Sequence, residues 1–199
     1  MLAALCLIAA IVCAVIDWVA VAQERRMIEY LAKPATLGFL LLYAALGPHA
    51  SWFLLAALVL CLLGDVYLML PDDLFPAGLA AFLVGHLAYV ADFDATSLSR
   101  VIWFVIVVAA SIPLALRIIR SVSQPPLRIA VGMYMAVISL MVASAIASGG
   151  MIATAGALFF FASDALIAVN RFVSPFPSAR VAIIVTYHVG QLLLVIGLR

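Results

Sequence analysis

The sequence contains few charged residues. Only 10% of its 199 residues are Asp, Glu, Lys or Arg, whereas 69% are hydrophobic. In soluble domains roughly a quarter of the residues are charged, so this composition excludes a soluble globular protein and indicates an integral membrane protein. The formal net charge is +1 and no run of basic residues occurs, so no nucleic-acid partner is indicated.

Cysteines and metal-binding motifs are also scarce. The three cysteines, Cys6, Cys13 and Cys61, all lie in apolar runs, and none has the paired spacing of a zinc or redox motif. We expect them to act as small apolar packing residues. No motif of closely spaced ligands such as H-E-x-x-H occurs, so we assign no metal and no cofactor.

The sequence is instead rich in long apolar segments. Eight of them approach the roughly 20 residues that cross about 30 Å of hydrocarbon as a helix. Only helices or a closed barrel satisfy the backbone hydrogen bonds in lipid, and uninterrupted runs of this length exclude the barrel. We predict an all-α integral membrane protein, a single domain over residues 1–199, with eight transmembrane helices near 2–21, 30–46, 50–70, 75–91, 100–119, 127–147, 150–170 and 179–198.

The first span resembles a signal peptide, because it ends in Ala20-Val21-Ala22, an A-x-A pattern. However, no positively charged region precedes it, and Asp17 lies inside the apolar run. We therefore expect this segment to be retained as the first helix.

The basic residues predict the orientation in the membrane, since cytoplasmic loops are enriched in Lys and Arg. The other face has only Arg100 and Arg199. We expect the odd-numbered loops to be cytoplasmic, both termini to lie on the opposite side, and the protein to reside in the cell (inner) membrane. The loops and helix ends after spans one, three, five and seven hold eight basic residues: Arg25, Arg26, Lys33, Arg117, Arg120, Arg128, Arg171 and Arg180.

Two carboxylates interrupt apolar spans. Asp65 lies in LVLCLLGDVYLML, and Asp164 lies in GALFFFASDALIAV. A charged side chain at mid-bilayer costs at least roughly 2.5–3.5 kcal/mol on insertion scales, so such residues face a polar cavity and mark functional sites. Asp17 and Lys33 are expected at the same depth, near the cytoplasmic face. We predict a cavity in the bundle that opens toward the cytoplasmic leaflet.

Other polar and aromatic residues are expected deeper in this cavity. Spacings of three or four residues place them on shared helical faces in spans four and eight. Gly64-Asp65 followed by a histidine and a tyrosine recurs, four spans later, as Ser163-Asp164 followed by a tyrosine and a histidine. An offset of four spans preserves direction, so the pattern is consistent with two parallel four-helix repeats in which the two aspartates face each other. The deeper residues are Phe82, His86, Tyr89, Tyr187, His188 and Gln191.

These motifs, in this order, resemble the YhhN-like lysoplasmalogenase family of multi-pass membrane proteins. The resemblance implies an enzyme that hydrolyses the vinyl ether bond of lysoplasmalogens to a fatty aldehyde and glycerophosphoethanolamine or glycerophosphocholine, at an intramembrane site around the two aspartates. The matching elements are Lys33-Pro34, Gly64-Asp65, Gly78-x3-Phe82-x2-Gly85-His86-x2-Tyr89, Gly156-Ala157-x2-Phe160-x2-Ser163-Asp164 and Tyr187-x3-Gln191.

The chemistry of a vinyl ether fits paired carboxylates. Protonation of the carbon beta to oxygen generates an oxocarbenium-like cation, which water then attacks. Glycosidases use two carboxylates around a similar transition state. Two neighbouring aspartates in a medium of low dielectric would not both ionise readily, so Asp65 and Asp164 could supply one acid and one anion.

The other candidate residues are assigned to a lysophospholipid substrate within the membrane lipid. Lys33 could hold the substrate phosphate as a point charge. His86 or Tyr187 could orient water or bond the ether oxygen. The remaining expected substrate-binding residues are Phe82, Tyr89, Ser163, His188 and Gln191. Nothing in the sequence indicates an oligomeric state.

Three alternatives remain open from the residues alone. A small-molecule or proton-coupled carrier could use the same intramembrane polar residues and the same repeat. A zinc-dependent lipid hydrolase could gather two histidines and the two aspartates, His86, His188, Asp65 and Asp164. A purely structural membrane module would use the carboxylates only as braces. We expect His49 to be an ordinary loop residue, and Asp72 and Asp73 to form a solvated turn and the start of span four.

Overall fold

The computed structural model describes residues 1–48 and 50–199, and within these ranges the chain forms eight α-helices. The predicted all-α fold is therefore confirmed. His49 lies outside the described residues. The helices are α1 (Leu2–Ala22), α2 (Arg26–Ala45), α3 (Trp52–Met69), α4 (Phe75–Asp92), α5 (Ser97–Ser121), α6 (Pro125–Ser148), α7 (Met151–Ala168) and α8 (Ala179–Leu198).

In the part of the chain that the structure describes, seven helices are long and apolar enough to cross a membrane. An integral membrane protein is confirmed. The helix that is not among the seven is α2, which carries Arg26, Glu29 and Lys33 in its first half. The crossing of the membrane by α2 stays a prediction.

The helix ends differ from the predicted spans where polar residues join a helix. Helix α2 begins at Arg26 rather than near residue 30, and α5 extends over Ser97–Ser121 because the Thr96 hydroxyl accepts a hydrogen bond from the Ser99 amide and caps it. After α7 the chain widens into a π-helix, Val169–Val173, which the sequence did not predict. The Ser174 amide donates to the Val169 carbonyl there.

The chain divides into two compact units of four helices. The first comprises residues 1–92 with 198–199, and the second comprises residues 93–197. In the first unit α1 packs on α2, α2 on α3 and α3 on α4; in the second α5 packs on α6 and α6 on α7. The boundary coincides with the boundary between the two predicted repeats. The parallel relation of the repeats and the single domain stay predictions.

Glycines bring helix backbones together in both units. In the first, a Cβ on Gly64 of α3 would lie 2.6 Å from the Phe82 ring of α4. In the second, a Cβ on Gly156 of α7 would lie 2.5 Å from the Leu194 nitrogen of α8, and a Cβ on Gly190 would lie 2.8 Å from the Phe160 nitrogen. Such small residues allow the close packing that holds helices together in lipid.

We expect Gly156→Ala to destabilise the protein by about 1–3 kcal/mol, because the added methyl group meets backbone atoms and forces α7 and α8 apart. The measurement is thermal unfolding of the purified protein in detergent. Gly132→Ala in α6 is the matched control, since its Cβ would meet its nearest neighbour, Ile119 Cδ1, at 3.9 Å. Equal unfolding temperatures for the Gly156 variant and wild type would contradict close packing here.

Candidate functional site

In the first unit, Lys33 of α2 and Asp65 of α3 form an ion pair. Lys33 Nζ lies 2.9 Å from Asp65 Oδ1, and the two side chains are only 12% and 1% exposed. A buried carboxylate is tolerated when it is paired and hydrogen-bonded. The structure thus joins two of the predicted site residues, and it gives Lys33 a carboxylate partner within the protein.

The aromatic and imidazole residues of α4 lie on one buried face, as their spacing predicted. Phe82, His86 and Tyr89 are all buried. The Phe82 ring packs against Gly64, the residue immediately before Asp65. The face of α4 is therefore packed onto the segment of α3 that carries the carboxylate.

The other acidic residues considered from the sequence separate into two groups. Asp17 is completely buried within α1. Asp72 and Asp73 are exposed between α3 and α4, where the Leu74 amide donates to the Asp72 carbonyl. The expected solvated position of Asp72 and Asp73 is confirmed, and α4 begins after them, at Phe75.

In the second unit, Asp164 of α7 is hydrogen-bonded to Tyr134 of α6. The Tyr134 hydroxyl donates to Asp164 Oδ2 at 2.6 Å. Tyr134 is buried and Asp164 is half-buried. This distance is at the short end of the usual range for an O–H···O hydrogen bond, about 2.5–3.0 Å. Asp164, like Asp65, therefore interacts with a donor on the preceding helix.

Tyr134 was missed by reasoning from the sequence. It lies in the apolar run GMYMAV, where a single tyrosine is an ordinary packing residue. The repeat supplies the signal that could have identified it, because Lys33 is on the second helix of the first unit and Tyr134 on the second helix of the second unit.

The predicted residues of α8 are also buried and interact with one another. Gln191 Nε2 donates to the Tyr187 hydroxyl at 3.4 Å. Tyr187 meets Phe160 of α7 edge to face, with ring centroids 5.2 Å apart, and its ring lies beside His188. Ser163 of α7 donates to the Ile183 carbonyl of α8 at 3.0 Å. These contacts fix α8 against the α7 segment that carries Asp164.

The candidate metal ligands do not cluster. Within residues 1–48 and 50–199, no three His, Cys, Asp or Glu side chains form a group that could hold a metal ion. The three cysteines are free thiols within α1 and α3, as expected for apolar packing residues. The zinc hydrolase alternative therefore gains no support from the arrangement of these side chains.

Comparison with known proteins assigns the family. Residues 28–198 match the YhhN family, which covers most of the chain and both carboxylates. The chain belongs to the YhhN family. This membership confirms the resemblance that the ordered motifs indicated. No solved structure matches the chain.

This YhhN protein is similar to several curated proteins that are named lysoplasmalogenases. It is 33% identical to human lysoplasmalogenase TMEM86B over 171 residues, which cover 86% of this chain and 74% of the human protein. It is similarly 33% identical to human lysoplasmalogenase TMEM86A, over 81% of this chain and 69% of that protein. The pig lysoplasmalogenase TMEM86B is 32% identical over 74% of this chain and 64% of its own length.

We expect Lys33→Met to destabilise this YhhN protein by about 3–5 kcal/mol, because it leaves the Asp65 carboxylate buried without its counter-charge. The measurement is a double-mutant cycle of unfolding in detergent with Asp65→Asn. The double variant should be more stable than the sum of the two single effects predicts. Strictly additive effects would show that the ion pair contributes nothing to stability.

Proposed function

We propose that this protein hydrolyses the vinyl ether bond of lysoplasmalogens, releasing a fatty aldehyde and glycerophosphoethanolamine or glycerophosphocholine. The observation that carries the proposal is its similarity to human lysoplasmalogenase over 86% of the chain. The two carboxylates inside apolar helices support it, since ionisable residues in membrane spans are costly and mark functional sites. We infer that the substrate is a lysophospholipid that enters from the membrane.

The reaction needs a proton donor and a water molecule. A carboxylic acid gives its proton to the alkenyl carbon beta to the ether oxygen, and the electron pair of the double bond forms the new C–H bond. Water then adds to the carbon bonded to oxygen and returns a proton to the carboxylate. The hemiacetal then breaks its C–O bond to the glycerol oxygen, which takes up the proton of the hemiacetal hydroxyl as the C=O bond forms. The products are the aldehyde and the free alcohol, so one water is consumed and the acid is regenerated.

We assign these catalytic roles to Asp65 and Asp164. Protonation of carbon requires a positioned general acid, and a carboxylate stabilises the oxocarbenium-like cation that follows, as in glycosidases. Each aspartate is held by a side chain of the preceding helix, Asp65 by Lys33 and Asp164 by Tyr134. A fixed orientation of each carboxyl group favours a reaction whose rate depends on alignment with the substrate.

Apart from Lys33 on α2, the proposed substrate-binding residues lie on the buried faces of α4 and α8 and at the Asp164 segment of α7. Their aromatic rings suit an alkenyl chain, and their imidazole, hydroxyl and amide groups suit water or the ether oxygen. The Lys33 ammonium group has three N–H donors, so it can contact Asp65 and the substrate phosphate at the same time. The residues are Lys33, Phe82, His86, Tyr89, Ser163, Tyr187, His188 and Gln191.

We expect the purified protein in detergent to release aldehyde from a lysoplasmalogen, and Asp65→Asn and Asp164→Asn each to reduce the rate at least about 100-fold. Loss of a general acid or of its partner typically costs a factor of 10²–10⁴. Asp94→Asn is the matched control, because this aspartate is exposed between α4 and α5. It should retain the wild-type rate.

Two further arms make this experiment decisive. Activity that survives chelator treatment supports acid catalysis by the carboxylates, whereas activity lost on chelation and restored by zinc supports the zinc hydrolase alternative. A well-folded wild-type protein that releases no aldehyde from either the ethanolamine or the choline substrate would contradict the proposed function.

We also propose that the odd-numbered loops are cytoplasmic and that both termini lie on the opposite side of the cell (inner) membrane. The excess of Lys and Arg in those loops supports this orientation. Ser174 follows the π-helix after α7, and Asp94 lies between α4 and α5; both are exposed, which provides one accessible position on each predicted side.

We expect a membrane-impermeant maleimide added to intact cells to label Asp94→Cys but not Ser174→Cys, in a background with the three native cysteines changed to alanine. Both positions are exposed, so accessibility within the protein is matched. Permeabilised cells, in which both variants should react, provide the control. Labelling of Ser174→Cys in intact cells would reverse the orientation.

A further inference from the structure

We propose that Tyr134 is a positioning residue for the reaction, and that it holds the Asp164 carboxyl group in the orientation from which Asp164 donates its proton. This inference rests on the proposed function and names the general acid within it.

The hydrogen bond between Tyr134 and Asp164 restricts the terminal torsion of the Asp164 side chain. The terminal torsion of an aspartate is broad, so an unheld carboxyl group rotates easily. The Tyr134 hydroxyl donates to Oδ2 at 2.6 Å from α6, a helix that packs directly on α7. With Oδ2 held, the direction of Oδ1 is fixed as well, and Oδ1 is the atom that carries the transferable proton.

The chemistry of the substrate makes such a holder necessary. In most general acid catalysis the receiving oxygen or nitrogen accepts a hydrogen bond from the acid and so helps to align it. The receiving atom of a vinyl ether is a carbon, which accepts no strong hydrogen bond. The protein must therefore orient the carboxyl group of Asp164 itself, and the Tyr134 hydroxyl on the neighbouring helix provides that orientation.

The two donors, Lys33 and Tyr134, suit different charge states of an aspartate. An ammonium group such as that of Lys33 interacts most strongly with a charged carboxylate. A hydroxyl donates both to the carbonyl oxygen of a neutral acid and to a carboxylate, so the Tyr134 contact persists before and after proton transfer. After transfer it also stabilises the new negative charge without reorganisation. The pair of Asp164 and Tyr134 is thus suited to release and recover a proton.

The test compares Tyr134→Phe with wild type in aldehyde release from a lysoplasmalogen by the purified full chain. We expect kcat to fall about 10- to 100-fold, as for a modest misplacement of a catalytic group, while KM stays within about twofold. The dissociation constant for a 1-O-alkyl lysophospholipid, which lacks the double bond, should be unchanged. Tyr67→Phe, at a tyrosine that is 36% exposed on α3, is the matched control and should keep the wild-type kcat.

Two additional variants separate positioning from a structural role. Incorporation of 3-fluorotyrosine at position 134 restores the hydroxyl donor and should restore kcat to within about threefold of wild type on the orientation argument. In an Asp164→Asn background, Tyr134→Phe should cause no further loss of kcat, because the group that it positions is absent. If Tyr134 only stabilised the fold, Tyr134→Phe would instead change KM, ligand affinity and unfolding temperature together.

Each outcome has a defined meaning. If wild type releases aldehyde, Asp164→Asn does not, and Tyr134→Phe keeps kcat within twofold of wild type, the positioning role is overturned while the proposed function stands. If the 3-fluorotyrosine variant is as impaired as Tyr134→Phe, the role is likewise overturned. If wild type releases no aldehyde, both the function and this inference are overturned.

Discussion

The poor solvation of charge in hydrocarbon is the constraint on which the rest of this structure depends. An ionisable side chain inside an apolar helix must find a partner within the protein, because lipid supplies none. Lys33 meets Asp65 and Tyr134 meets Asp164, in each case between the second and third helices of a four-helix unit. The same constraint accounts for the character of α2, which carries the lysine and is the one helix in the described residues that is not apolar enough to count as a span.

Close packing through small residues fixes the surroundings of each carboxylate. Gly64 admits the Phe82 ring beside Asp65, and Gly156 and Gly190 bring α7 and α8 into backbone contact. Van der Waals packing and hydrogen bonds between helices replace the hydrophobic effect as the associating force in lipid. The glycines therefore bring α4 close to the segment of α3 that carries Asp65, and α8 close to the segment of α7 that carries Asp164.

The proposed chemistry gives a reason for the difference between the two pairs. A vinyl ether must be protonated on carbon, which makes the alignment of the acid a task for the protein. An ammonium partner suits an aspartate that stays charged, and a hydroxyl partner suits one that exchanges a proton.

The sequence by itself determined the fold class, the positions of the helices and the two costly carboxylates. Backbone hydrogen bonds in a membrane helix are local, so a run of apolar residues predicts its own secondary structure. Asp65 and Asp164 were recognisable because the free-energy cost of a carboxylate in lipid depends on the apolar residues that surround it in the sequence. The tertiary structure decided what each carboxylate contacts. The pairing of Asp164 with Tyr134, the bond from Ser163 to the Ile183 carbonyl and the π-helix after α7 all depend on how each helix is rotated against its neighbours. That rotation is set by packing between segments far apart in the chain, which no local pattern of residues encodes.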